Sequence, residues 1–210
     1  MSTSAAQHEP PPSYLKPYAD AVERHGAAFP ALLWASRHTQ AKRFDALVRL
    51  ADPSDRSILD LGCGRADFLD FLIERRKSPR HYLGIEGVPE LADAASTKER
   101  AGVQIVCGDF VREPAILQCD VDVIYCSGAL NTLIDRDFYS TLARAFSSAR
   151  ECLVFNFLSS PTLAAASFLH WRTRGDVLRF ARTLTPNVEA LEDYLDGDCT
   201  IAMRKAQAAA

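Results

Sequence analysis

The 210-residue sequence predicts an α/β fold: a doubly wound, mostly parallel seven-stranded sheet, with helices on both faces and an antiparallel hairpin strand at its C-terminal end. Three observations predict it. Short apolar runs alternate with stretches of helical periodicity from Phe44 onward. The runs are almost continuously apolar, as strands covered on both faces must be. The alternation breaks only near the end, where two strand-like runs meet through Asp196-Gly197, a hairpin signal.

Phe44, Leu47, Val48 and Ala51 recur at helical spacing until Asp52-Pro53 stops the helix. Residues 58–61 form a buried strand that ends in glycine, and Phe68, Phe71 and Leu72 share one face of the helix that follows. Residues 82–85 are the second strand. Pro89 opens a helix carrying Leu91, Ala94 and Ala95, with Glu90 in its first turn, where the helix dipole favours an acid. Residues 103–106 and 121–125 are the third and fourth strands, and 152–157 the fifth. A helical stripe of Phe138, Leu142, Ala145 and Phe146 lies between the last two. Residues 161–171 and 176–182 read as helical, and 188–194 with 199–204 as the closing hairpin.

A single domain over residues 14–205 accounts for this pattern. Residues 1–13, ending in Pro10-Pro11-Pro12, read as a disordered arm, and 206–210 as a frayed tail. Hydrophobic residues make up 48% and charged residues 24%, the balance of an ordinary globular protein. A net charge of -3 speaks against a large nucleic-acid footprint. Residues 1–13 carry no Lys, Arg or apolar core of a signal peptide, and every apolar run is shorter than the ~20 residues that span a bilayer. A cytoplasmic protein without membrane or nucleic-acid partners is expected. The six cysteines form no C-x-x-C pair and there is no H-E-x-x-H, so reduced thiols and no metal site are expected.

In sheets of this kind ligands bind beyond the carboxyl ends of the strands. After the first strand stand Asp60, Gly62, Cys63 and Gly64, a loop whose glycines let the backbone turn and approach a ligand. Such a loop suits a dinucleotide pyrophosphate or another adenosyl ligand. A dinucleotide fingerprint places its third glycine where this chain has Asp67, and an acid at a helix N-terminus repels a pyrophosphate. After the second strand come Glu86 and Gly87, an acid placed to take ribose hydroxyls. After the third come Asp109 and Phe110, an acid and a ring suited to adenine. Ser127 to Asn131 follow the fourth.

These residues together resemble the class I (Rossmann-like) S-adenosylmethionine (SAM) dependent methyltransferases, over roughly residues 44–205. The glycine-rich motif of that family matches Asp60, Gly62, Cys63 and Gly64, with Ala66 at a further common glycine. Its ribose acid matches Glu86, its adenine-side acid Asp109, and the motif lining the methyl-transfer site Ser127 to Asn131. The resemblance implies SAM as cofactor and in-line transfer of its sulfonium methyl. The Pro-Pro motif of base and amide N-methyltransferases is missing after the fourth strand, and no recognition domain is appended, so a small-molecule acceptor is expected. The alternatives are an NAD(P)-dependent oxidoreductase, against which Asp67 speaks, and a non-catalytic SAM-binding module. Upstream, Trp34, Ser36, Gln40, Arg43 and Phe44 are similar to a W-x-S-x-x-x-Q-x-x-R-F pattern of some bacterial methyltransferases, implying that Gln40 and Arg43 face the cofactor carboxylate. The same stretch reads equally well as a capped amphipathic helix with a solvated Arg. No residue stands out as a catalytic base; His170 reads more readily as ordinary helix packing.

Overall fold

The computed structural model describes residues 10–206; of the disordered arm expected over 1–13 and the tail over 206–210, residues 1–9 and 207–210 lie outside that range, whereas 10–13 lead into a turn anchored by the Pro12 carbonyl. Seven strands are described: β1 (Ser57–Leu61), β2 (His81–Glu86), β3 (Val103–Cys107), β4 (Val123–Cys126), β5 (Cys152–Leu158), β6 (Val188–Leu191) and β7 (Asp198–Arg204). They form one sheet in the order β3-β2-β1-β4-β5-β7-β6. β1 to β5 run parallel, and β7 lies antiparallel between β5 and β6. The predicted fold class is thus the observed one.

Period-two alternation divides the strands between two cores. Ile58, Tyr82, Tyr125, Val154 and Ala202 point to the face covered by α2 (Arg37–Leu50), α3 (Asp67–Glu74) and α4 (Pro89–Ser96). Leu59, Ile124, Leu153, Phe155 and Met203 point to the other, covered by α5 (Asp135–Ser148) and α6 (Arg174–Leu184). α2 begins in a capping box, Ser36 and Thr39 each bonding the other's backbone N–H.

Four local expectations change. Sequence reading assigned no element to α1 (Lys16–His25), which the Pro12 carbonyl introduces by accepting the N–H groups of Leu15 and Lys16. Its signal was present as Pro17 in the first turn and Leu15, Tyr18 and Val22 at helical spacing. β4 starts at Val123 rather than at 121, where Asp122 turns its carboxylate to the Ser57 N–H (2.8 Å) and to Arg150. Residues 161–171 hold one 3-10 turn, Pro161–Leu163, not a helix. Leu163 and Leu169 both reach the same cleft, whereas residues six apart on a helix point about 120° from each other. Tyr194 lies outside β6 because its hydroxyl donates to Asp198 (2.5 Å) in the connection to β7.

Candidate active site

Beyond the carboxyl ends of β1, β2 and β4 lies a cleft of about 1280 Å³, open mouth included. Its floor is the loop after β1. Gly62 and Gly64 have φ of +74° and +56°, which a side chain would strain. A Cβ on Gly62 would lie 2.3 Å from the Ala129 Cβ, so that glycine lets the loop touch the turn after β4. Ala66, the helix-flanking residue, is also left-handed (φ +56°), the conformation that explains why glycine is common there. Asp67 opens α3 and takes the amide of Gln40 (3.2 Å), with Arg65 and Lys98 within 4 Å. The backbone dipole and both cations favour its charge there.

Glu86 is buried at the end of β2. One carboxylate oxygen accepts the Gly64 N–H (2.8 Å) and the other the Val88 N–H (2.9 Å). Burial raises its pKa, and these N–H donors pull it back. Each oxygen keeps a lone pair for a ligand hydroxyl. Asp60, beneath the loop, accepts the Tyr82 hydroxyl (2.5 Å); burial pushes its pKa up to about 7. Cys63 and Cys126 are buried, and burial raises both thiols well above their ordinary range, so neither offers a ready thiolate.

Of the sequence-predicted residues, Asp60, Gly62, Cys63, Gly64, Glu86, Gly87, Phe110, Ser127, Gln40 and Arg43 are all brought to the cleft wall. Asp109 is not. Its carboxylate accepts the Tyr14 hydroxyl (2.5 Å) and the N–H groups of Val111 and Arg112, closing the turn after β3. Gln40 and Arg43 reach the cleft but are committed to protein partners. Arg43 pairs with buried Asp198 on β7 and stacks on Trp34 (4.9 Å). The reading of a solvated Arg43 is therefore set aside: the residue is 8% exposed. His170 does not line the cleft; its backbone N–H bonds the Asn131 carbonyl.

The sequence reading named no residue ahead of Trp34 for the cleft, yet Tyr14, Leu15 and Tyr18 line it, Leu15 against Gly87, and Trp34 lies against Gly128. Leu133, Leu158, Leu163, Leu169 and Leu195 line the opposite wall.

A family model described as a methyltransferase domain matches residues 58–151. No curated protein matches the sequence. Solved structures share the fold. Phosphoethanolamine N-methyltransferase 1 of Haemonchus contortus, in complex with phosphoethanolamine and S-adenosylhomocysteine, gives a TM-score of 0.71 at 16% identity over 93% of this chain and 49% of that one. The DhpI complex with S-adenosylhomocysteine gives 0.68 at 13% identity over 93% and 96%. Magnesium protoporphyrin IX methyltransferase of Synechocystis PCC 6803, with bound S-adenosylhomocysteine, gives 0.64 at 10% identity over 91% and 94%. At these identities the likeness is one of fold.

Proposed function

We propose that this chain is a class I SAM-dependent methyltransferase that methylates a small molecule held in the roofed cleft. The observation that carries the proposal is the lining of the cleft. Tyr14, Tyr18 and Trp34 on one part of the chain and Leu163 and Leu169 on another narrow it around its open mouth, which suits an acceptor small enough to enter it. SAM supplies, when bound, a methyl already activated on a sulfonium, ready for a nucleophile's lone pair.

The chain's own residues fit that cofactor. The Gly62–Gly64 backbone forms a cradle that a Cβ would fill. Glu86 has lone pairs for ribose hydroxyls, and Asp67 and Glu86 give the floor acidic side chains that suit a cationic ligand. Phe110 offers an apolar wall for adenine; Asp109 beside it is held by Tyr14, so adenine recognition through Asp109 would require sharing with that hydroxyl. The remaining task is orientation: holding two reactants in line supplies ~7–11 kcal/mol of a barrier without any catalytic base. Among the described residues no helix is long and apolar enough to cross a membrane.

Calorimetric titration with SAM and S-adenosylhomocysteine tests the cofactor reading; micromolar binding is expected, and its absence would sink it. Transfer from methyl-labelled SAM into a cell extract, split into low-mass metabolites, protein and RNA, tests the acceptor. Label is expected in the low-mass fraction. Label confined to RNA or protein would overturn the small-molecule assignment.

A further inference from the structure

The cleft has two chemically different walls. Its charged lining residues are Arg43, Asp60, Asp67 and Glu86. The three acids sit at the ends of β1 and β2 or open α3, on the cofactor side. Arg43 stands at the border, its charge matched by Asp198. Beyond it, among the described residues, no charged side chain lines the wall at the ends of β4, β5 and the β6–β7 connection. There Leu133, Leu158, Leu163, Leu169 and Leu195 converge from four separate stretches of chain.

The polar groups on this side are few and neutral. Asn131 is 4% exposed, and its Oδ1 accepts the Leu158 N–H (3.2 Å). That bond orients the side chain and leaves its amide N–H groups with no hydrogen-bond partner among the described residues. Ser127 accepts the Asn156 amide (3.1 Å) and keeps its own proton to donate. A charged ligand entering this wall would lose its hydration and find no counter-charge. An apolar body would gain from the leucines, and an oxygen on it would meet the donors of Asn131 and Ser127.

From this distribution we propose that the methyl acceptor is an uncharged, hydrocarbon-rich molecule bearing a hydroxyl, seated on the leucine wall with its oxygen toward Asn131; that oxygen bonds the methyl as the sulfur–methyl bond breaks to leave S-adenosylhomocysteine, and the hydroxyl proton passes to water at the cleft mouth. The proposal rests on the methyltransferase reading above and narrows its substrate class. Phosphoethanolamine, the ligand of the Haemonchus contortus enzyme, represents the class this wall excludes.

The test is calorimetric titration of the full chain saturated with S-adenosylhomocysteine, using 4-hexylphenol and 1-naphthol as apolar probes and phosphoethanolamine and histamine as charged ones. At least one apolar probe is expected to bind ten-fold or more tighter than both charged probes. Leu163→Asp, placed in an irregular half-buried loop rather than in the core, is expected to weaken that probe at least ten-fold with the affinity for S-adenosylhomocysteine unchanged. Should that variant unfold, Asn131→Leu is expected to weaken 4-hexylphenol about ten-fold and to leave hexylbenzene, which has no oxygen for the Asn131 amide, unchanged; equal effects on both probes overturn the placement of the oxygen at Asn131. Binding of S-adenosylhomocysteine without either apolar probe, or a charged probe binding tighter, overturns this proposal alone. Failure to bind S-adenosylhomocysteine overturns the methyltransferase reading instead.

Discussion

The two walls of the cleft are built by different means. The wall proposed to hold the cofactor is backbone geometry: positive φ at Gly62 and Gly64, and two backbone N–H groups fixing Glu86. These partners lie at neighbouring strand ends. The opposite wall is side-chain surface assembled from the β4 turn, β5, an irregular loop and the β6–β7 connection. The first demands particular residue types at particular positions. The second demands only that something apolar arrive there. On the proposed assignment, the first wall reports the cofactor class and the second carries whatever distinguishes this chain's acceptor.

Substitutions at the seam between the walls sharpen this contrast. The largest effect is expected at Arg43, which joins α2 to β7 through Asp198. Arg43→Met leaves a buried carboxylate with Tyr194 as its remaining polar partner and should lower the unfolding free energy by ~3–5 kcal/mol. Adding Asp198→Asn should restore most of the loss in urea denaturation; no restoration would show that the pair is not what ties the walls together.

Asp60 comes next. It titrates near 3.8 when unfolded and near 7 when folded, because burial opposes its charge. Between these values the folded state holds a proton that the unfolded state has lost, so stability falls as pH rises through the window. At 1.36 kcal/mol per unit, Asp60→Asn should stabilise the apoprotein by up to ~4 kcal/mol near about pH 8 and change it little near about pH 4. Equal effects at both pH values would contradict the burial of an ionisable group there.

Gly62→Val tests the contact between the walls. Its Cβ would displace Ala129, and its φ is wrong for a branched residue. Binding of S-adenosylhomocysteine should weaken at least ~100-fold, or ~2.7 kcal/mol, by calorimetry. Unchanged binding would mean that the loop is not the cofactor cradle. The smallest effect belongs to Ala66→Gly. Relief of left-handed strain, worth ~1 kcal/mol, is offset by loss of a fully buried methyl worth ~0.8 kcal/mol. Thermal unfolding should place the variant within about 0.5 kcal/mol of the parent.

The same contrast explains what the sequence disclosed. Gly62, Gly64 and Glu86 are legible because each follows an apolar run, and their residue types are informative where they stand. The sheet was legible because burial on both faces leaves no polar alternation within its central strands. The leucine wall was not, since a leucine in a core and one in a cleft obey the same periodicity. Nor was the Tyr14–Asp109 bond, in which a residue ahead of α1 engages an acid at a motif position. Arg43 shows the middle case. Its type and place were noticed, but a counter-ion on the last strand leaves no trace in local pattern.

The position of β7 bears on how the molecule comes together. It is the last strand in sequence yet lies inside the sheet, paired over seven residues with β5 and bonded to β6 on its other edge. During synthesis, β1 to β5 can align while the site for β7 is still an unfilled sheet edge, a template for wrong partners. Asp198 reaches Arg43, and Leu195 reaches the cleft, only once that late strand has been inserted. Completion of the proposed acceptor wall is thereby a closing event of folding, and a chain stalled before it would hold much of the glycine loop after β1 without the leucine wall across from it.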